Sequence, residues 1–264
     1  MNSYEKITII GAGNVSWHLA SALDESGCSV VQVYSRSAER AQNLAHRLKR
    51  TKPTTSLDFA DSSATLFILA VSDDAIAAVA RQIELPERST LVHTSGGQPM
   101  QVLSEAKTDQ IGVFYPLQTF SKQRTISFQN IPLCLEASRS EVLGGLTQLA
   151  QKLSTQVAEV DSQQRAVLHV AATFVNNFTN HLLRMGEQLL QDAQLDTTLL
   201  RPLIEETVAK AQEMGAAQSQ TGPARRDDEK TINHHLNYLK SYDSVYAEVY
   251  QLLTGHIQHV FKNN

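Results

Sequence analysis

The stretch Lys6-Ile7-Thr8-Ile9-Ile10-Gly11-Ala12-Gly13-Asn14-Val15-Ser16 decides the fold, because an apolar run leads through a glycine turn into the helical pattern of Trp17–Leu23. Gly11 permits a tight turn, and Gly13 lacks a Cβ, so the backbone can approach a pyrophosphate held by the free N–H groups of the helix. Ser16 replaces the third glycine of the usual pattern and is still small. The predicted pyrophosphate contacts are Gly11, Gly13, Asn14 and Val15.

The next strand pattern, Val30–Tyr34, indicates which dinucleotide to expect. An NAD-binding chain usually has an Asp or Glu about 20 residues after the glycines, on the ribose hydroxyls. This chain has Ser35, Arg36 and Ser37 there instead. A guanidinium and two hydroxyls suit a 2′-phosphate, so we expect NADP(H). The alternative is that Arg36 is a solvated residue before the helix that starts near Ala38.

The composition excludes several classes of protein. With 42% hydrophobic and 19% charged residues and a formal charge of −4, the chain of 264 residues has no basic field for nucleic acid. No apolar run is long enough for a membrane span and no secretory pattern begins the chain, so we expect a cytoplasmic protein. Cys28 and Cys134 lack partners at metal-ligand spacing. We therefore expect free thiols and no metal.

Strand and helix patterns alternate through the first half of the chain. Ala64–Val71 and Thr90–His93 are typical of parallel strands buried on both faces. Further strand patterns and then long helical patterns follow, with the change near Val160. The sequence predicts a Rossmann-type, doubly wound α/β domain with a mostly parallel sheet over residues 1–160 and an all-α domain over residues 161–264. The added strands are predicted at residues 111–117, 131–135 and 156–160.

Ligands of open parallel sheets bind beyond the carboxyl ends of the strands. That rule selects Val71 and Ser72, expected near the ribose or the nicotinamide, and Ser95 in the turn that follows His93. Ser95 is expected to handle the substrate, although this segment could also be an ordinary strand-exit turn. His93 could transfer a proton, or it could be a structural histidine at the end of a buried strand.

A polar stripe runs along the first long helix, where Arg165, His169, Thr173 and Asn177 recur at intervals of four residues. Buried polar groups need partners, and a substrate cleft would supply them. We expect His169 to act as a general acid and Asn177 to orient the substrate. The alternative is a hydrogen-bonded seam between helices or a dimer interface.

The loop Thr221–Asp228 contains two adjacent arginines before a helix capped by an aspartate. Arg226 is expected to bind an anionic substrate or a phosphate. The alternative is a solvated loop. The histidines near this loop have no Cys or carboxylate arrangement that would hold a metal.

Five segments together resemble one family, that of Rossmann-like proteins with a C-terminal domain of unknown function. They are Gly11–Val15, His93–Gly96, Tyr115–Phe120, the helix from Arg165 through His169 to Asn177, and Thr221–Ala224 with Arg226, Asp228, Thr231 and His235. In its first domain that family is similar to pyrroline-5-carboxylate reductases and deazaflavin-dependent NADP reductases, and in its second to the 6-phosphogluconate dehydrogenase superfamily. The resemblance implies a homodimer whose helical domains build part of the active cleft. In that family a histidine often occupies the position of Tyr115. A tyrosine hydroxyl can also donate a proton.

The leading hypothesis is an NADP(H)-dependent oxidoreductase that moves a hydride to or from a small, anionic carbonyl, imine or hydroxy compound. Its expected catalytic residues are Ser95, His169, Asn177 and Arg226. The alternative is a non-catalytic NADP(H)-binding module with a regulatory or scaffold role.

Overall fold

The computed structural model describes residues 4–262. Their strands form one eight-stranded sheet in the order β3-β2-β1-β4-β5-β6-β7-β8. The sheet is parallel except at the β6–β7 pair. The strands are β1 (Lys6–Ile10), β2 (Ser29–Tyr34), β3 (Lys52–Thr54), β4 (Leu66–Leu69), β5 (Thr90–His93), β6 (Ile111–Pro116), β7 (Leu133–Ala137) and β8 (Val157–Glu159).

Helices connect these strands and make up the rest of the chain. They are α1 (Asn14–Glu25), α2 (Ala38–Ala45), α3 (Asp73–Gln82), α4 (Ser140–Leu153), α5 (Ser162–Ala172), α6 (Thr179–Asp192), α7 (Arg201–Met214), α8 (Ala216–Ser219), α9 (Glu229–Tyr242) and α10 (Ser244–Lys262). Two 3₁₀ segments, Met100–Leu103 and Thr197–Leu200, and a π-helical segment, Thr173–Phe178, complete the described structure.

The two faces of the sheet each carry an apolar layer. In β4, Leu66 and Ile68 pack into one layer while Phe67 and Leu69 pack into the other, and all four side chains are fully buried. A strand buried on both faces needs apolar residues at every position, which is why this strand reads as a continuous apolar run. The predicted fold class is confirmed, including the strands added beyond β5.

The edge strand β3 was not predicted. It pairs with β2 and contains Pro53, which has no N–H to donate. A proline is tolerated here because β3 has a strand on one side alone.

The chain divides into two compact units, of which the first ends at Asn177 and the second starts at Phe178. The last strand ends earlier, at Glu159, and α5 starts at Ser162 with a capping box formed by Asp161 and Gln164. The expected boundary at residue 160 therefore coincides with the change from strands to helices. As a domain limit it stays a prediction.

The long helical patterns predicted after residue 160 are interrupted. The first passes through the π-helical segment Thr173–Phe178. The second is broken at Gly215, which has φ +86° and separates α7 from α8. Such a backbone conformation is accessible to glycine and ends a helix.

Candidate functional site

The turn after β1 depends on Gly11. Its φ is +119°, and a Cβ on this residue would lie 2.3 Å from the carbonyl oxygen of Ala70. The Gly11 N–H also donates to the carbonyl of Tyr34 at 2.8 Å. The turn is therefore held between the ends of β2 and β4, at the edge where the strand order reverses.

Gly13 has a different role, because a Cβ there would meet no atom within 4 Å. It is the N-cap residue of α1, whose start has neither a side-chain cap nor an acidic residue in the first turn. The free N–H groups of this helix start thus adjoin open space. That combination fits a pyrophosphate, which brings its own acceptors to a helix N-terminus.

A cleft of about 630 Å³ extends from this turn toward β2 and α2. Ser35, Arg36, Ser37 and Arg40 line one end of it, and no Asp or Glu is found among the described residues of its lining. The Ser35 Oγ accepts from the Ser37 N–H at 3.2 Å, and the Ser37 Oγ caps α2 by accepting from the Arg40 N–H at 3.3 Å. Arg40 was not predicted from the sequence, although it follows Arg36 by four residues.

A second cleft of about 380 Å³ shares Gly13, Ala70, Val71 and Ser72 with the first. The two clefts are therefore parts of one groove along the carboxyl edge of the sheet. Ser72 is the N-cap residue of α3 and makes no side-chain capping bond. The other residues that line the second cleft are Asn14, Val15, Asp73, Thr94, Ser95, Gly96, Tyr115, Pro116, Gln118 and His169.

The turn after β5 holds Ser95 in the second cleft. Its Oγ accepts from the N–H groups of Gly97 and Gln98 at 3.1 and 3.0 Å, and its own N–H donates to His93 Nδ1 at 3.1 Å. His93 is fully buried and lines neither cleft. Burial, and then the positive charge of Arg165, lower the pKa of His93 to about 4. This geometry fits the structural alternative for His93, since a neutral imidazole supports the turn.

Tyr115 and His169 meet in the second cleft, where the Tyr115 hydroxyl lies 3.4 Å from His169 Nδ1. Burial raises the pKa of Tyr115, the neighbouring Cys134 raises it further, and Arg165 opposes the change. Tyr115 is thus a neutral phenol at physiological pH.

Arg165 anchors the start of α5. It is 1% exposed and donates to the Glu136 carboxylate, to the Gln98 carbonyl at 2.7 Å and to Ser162 Oγ at 3.2 Å. Its Nε has no partner. Arg165 thus joins the start of α5 to β7 and to the turn after β5, one helical turn before His169.

The predicted polar stripe does not continue to Asn177. Thr173 Oγ1 donates to the His169 carbonyl within its own helix, and the π-helical segment starts at Thr173. The wider turn changes which side chains lie above one another. Asn177 is exposed and lines neither cleft, so His169 is the stripe residue found in the groove.

Arg226 belongs to the second compact unit. In its loop, Asp228 caps α9 by accepting from the Thr231 N–H at 3.1 Å. Arg225 packs its guanidinium over the Phe261 ring at 4.4 Å. The structure thus brings Ser95 and His169 together in one cleft, while Arg226 is part of a separate unit.

The described residues, 4–262, contain neither a cluster of metal ligands nor a membrane-spanning helix. No group of three or more His, Cys, Asp or Glu side chains in this range could hold a metal ion. No helix in the same range is long and apolar enough to cross a membrane.

Comparison with known proteins identifies both parts of the chain. Residues 6–97 match the family described as NADP oxidoreductase, coenzyme F420-dependent, and residues 131–257 match the Domain of unknown function DUF2520. The crystal structure of "putative NADP oxidoreductase BF3122" from Bacteroides fragilis is 41% identical, with a TM-score of 0.89 over 97% of this chain and 98% of that one. The chain belongs to the family that joins these two domains. The resemblance inferred from the motifs is therefore confirmed.

More distant structures share the fold. A reductive aminase from Aspergillus terreus, solved with NADPH and ethyl levulinate, is 17% identical, with a TM-score of 0.72 over 99% of this chain and 95% of that one. A pyrroline-5-carboxylate reductase from Coxiella burnetii is 16% identical, with a TM-score of 0.59 over 99% and 98%. A curated relative, the glutamyl-tRNA reductase of Synechococcus sp. (strain CC9605), is 31% identical over 107 residues, which is 39% of this chain. The chain spans about a quarter of that relative's length.

Proposed function

We propose that this protein is an NADP(H)-dependent oxidoreductase that transfers a hydride to or from a small carbonyl, imine or hydroxy compound. The observation that carries the proposal is the single groove with cationic and hydroxyl groups at one end and Tyr115 and His169 at the other. Membership of a family with an NADP oxidoreductase domain supports it.

The cofactor would be held at the start of α1 and at the junction of the two clefts. The open helix start at Gly13, Asn14 and Val15 would bind the pyrophosphate, with Gly11 shaping the turn. Val71 and Ser72, at the junction of the two clefts, would adjoin the ribose or the nicotinamide. A reduced nicotinamide supplies the hydride when bound.

Selectivity for NADP(H) would come from the first cleft. Arg36 and Arg40 present two guanidinium groups there, and Ser35 and Ser37 add hydroxyls. Guanidinium groups bind phosphate through paired, charge-assisted hydrogen bonds. NAD(H) lacks the 2′-phosphate that these guanidinium groups would bind. The described lining also has no carboxylate that could bind the ribose hydroxyls of NAD(H).

The substrate would be handled at the second cleft. Ser95 and His169 line it and supply a hydroxyl and an imidazole. Arg226 would bind an anionic group of the substrate, and Asn177 would orient the substrate. These last two roles rest on side-chain chemistry and on the family's motifs.

The exposed apolar surface of the second unit supports a homodimer. Within residues 178–262 the buried apolar side chains are Met185, Ile232, Leu239 and Ala247. Large apolar side chains are exposed there, and a second copy of the chain would cover them. They include Leu195 (51%), Leu199 (65%), Leu203 (64%), Met214 (50%) and Leu252 (74%).

Sedimentation velocity tests this assembly. We expect a dimer for the wild type and a folded monomer, or a weakened dimer, for Leu199→Glu and Leu252→Glu. A wild type that is monomeric at micromolar concentration would contradict the proposed dimer.

Turnover assays test the proposed activity. NADPH oxidation is followed against a panel of keto acids, aldehydes and imines, and the melting temperature is recorded with cofactor alone and with cofactor plus each compound. We expect at least one compound to be reduced and to add a further rise in melting temperature. NADPH binding with no turnover and no further rise across the panel would favour the non-catalytic module instead.

A further inference from the structure

We propose that Tyr115 is the catalytic residue that protonates the substrate, and that His169 returns a proton from solvent to Tyr115. The proposal rests on the proposed oxidoreductase function, since it names the proton donor of that reaction. It differs from the sequence-based expectation, in which His169 protonates the substrate directly.

The first observation is the path that the two side chains form. Tyr115 is 9% exposed, whereas His169 is exposed, and the Tyr115 hydroxyl lies 3.4 Å from His169 Nδ1. Their rings meet edge to face, with centroids 6.3 Å apart. The imidazole thus connects solvent with a phenol that solvent hardly reaches.

The second observation is that Gly96 provides the space for this pair. A Cβ on Gly96 would lie 2.6 Å from His169 Nδ1 and 2.8 Å from the Tyr115 hydroxyl. The φ of Gly96 lies outside the left-handed region, so its backbone does not itself require glycine. Glycine is needed here because any side chain would separate the phenol from the imidazole.

The third observation is electrostatic. Burial keeps Tyr115 protonated, as an acid must be before it donates. The buried guanidinium of Arg165 lowers the pKa of Tyr115 against this trend. A cation fixed in that position stabilises the phenolate that forms when the proton leaves.

The other polar groups near the second cleft are less suited to this step. Ser95 Oγ already accepts two backbone N–H groups, and an unactivated hydroxyl is a weak acid. His93 is fully buried, lines neither cleft and accepts the Ser95 N–H. Asp73 is exposed, and its charge raises the pKa of Tyr115, which favours the protonated phenol.

In the direction of reduction, a bound reduced nicotinamide would supply a hydride to the substrate carbon, and the substrate oxygen or nitrogen takes the proton of the Tyr115 hydroxyl. The O–H bond of Tyr115 breaks and its electron pair stays on the phenolate oxygen. His169 then gives a proton from Nδ1 to the phenolate, and its exposed ring regains a proton from water.

Tyr115→Phe tests the proposal, with Tyr4→Phe as the matched control. Tyr4 is also a buried tyrosine, but its hydroxyl bonds to Thr90 and it lines neither cleft. With a substrate from the panel, we expect Tyr115→Phe to lower kcat by at least about 100-fold with little change in KM. Tyr4→Phe should retain wild-type kcat.

Nitrogen NMR of labelled histidine gives a readout that needs no substrate. The His169 Nδ1 signal should move in Tyr115→Phe and in Gly96→Ala, and should stay in place in Tyr4→Phe. An unmoved signal in Tyr115→Phe, or a kcat within about threefold of wild type, would overturn the role of Tyr115. Calorimetry of NADPH binding to the wild type, run in parallel, tests the proposed function separately.

Discussion

The buried imidazole of His93 makes the stability of the protein depend on pH between pH 7 and pH 5. The pKa of His93 is lowered from its ordinary value of 6.5 to about 4, first by burial and then by Arg165. A folded-state pKa below the unfolded one means that the unfolded chain binds more protons in this window. The stabilisation is therefore present above pH 6.5 and is lost as the pH falls toward 4.

The magnitude follows from the shift. Each pH unit between the two pKa values changes the free energy of unfolding by up to about 1.4 kcal/mol. Between pH 7 and pH 5 the contribution of His93 to stability should fall by roughly 2 kcal/mol. Because His93 Nδ1 accepts the Ser95 N–H, protonation also removes the acceptor that holds the turn in the second cleft.

Urea denaturation at pH 7 and pH 5 measures this effect in the wild type and in His93→Asn. An asparagine oxygen can accept the Ser95 N–H but does not titrate. The wild type should lose roughly 2 kcal/mol more than His93→Asn between the two pH values. His46→Asn, at an exposed histidine, should keep the wild-type loss. Equal losses in wild type and His93→Asn would refute the reasoning.

Three further changes have defined outcomes. Gly11→Ala should destabilise the protein by more than about 3 kcal/mol, because φ is +119° and the new Cβ would meet the backbone of Ala70. Gly144→Ala, in the open on α4, should instead stabilise it by up to about 1 kcal/mol in the same urea assay. Arg165→Met should cost about 3 kcal/mol, since it leaves the Glu136 carboxylate without its cation. A cost under about 1 kcal/mol would contradict the anchoring role of this pair.

Local patterns predicted the strand–turn–helix unit well. The apolar run before Gly11 and the helical spacing after it are separated by a turn that only a few residue types can make, so short-range sequence carries the information. The fully apolar run of β4 is informative for the same reason. Edge strand β3 was not predicted. It pairs with one neighbour only, and no continuous apolar run surrounds Pro53 to indicate a strand.

The second cleft was predicted less well, because its contacts join distant segments. Gly96, Tyr115 and His169 come from three separate elements, and no local spacing indicates that they meet. His169, one of the polar residues spaced four apart, lines the second cleft, but the π-helical segment interrupts this spacing before Asn177. Helical periodicity assumes a regular helix, and it fails where the turn widens.

The binding of NADPH and NADH, measured separately by calorimetry, tests the central claim most directly. The proteins to compare are the wild type, Arg36→Ala, Arg40→Ala and, as a control, Arg124→Ala, an exposed arginine that lines neither cleft. We predict that the wild type binds NADPH at least about tenfold more tightly than NADH, which is roughly 1.4 kcal/mol. Arg36→Ala should erase that preference, Arg40→Ala should reduce it and Arg124→Ala should keep it. Failure of the wild type to bind either nucleotide, or an equal affinity for both, would contradict the claim.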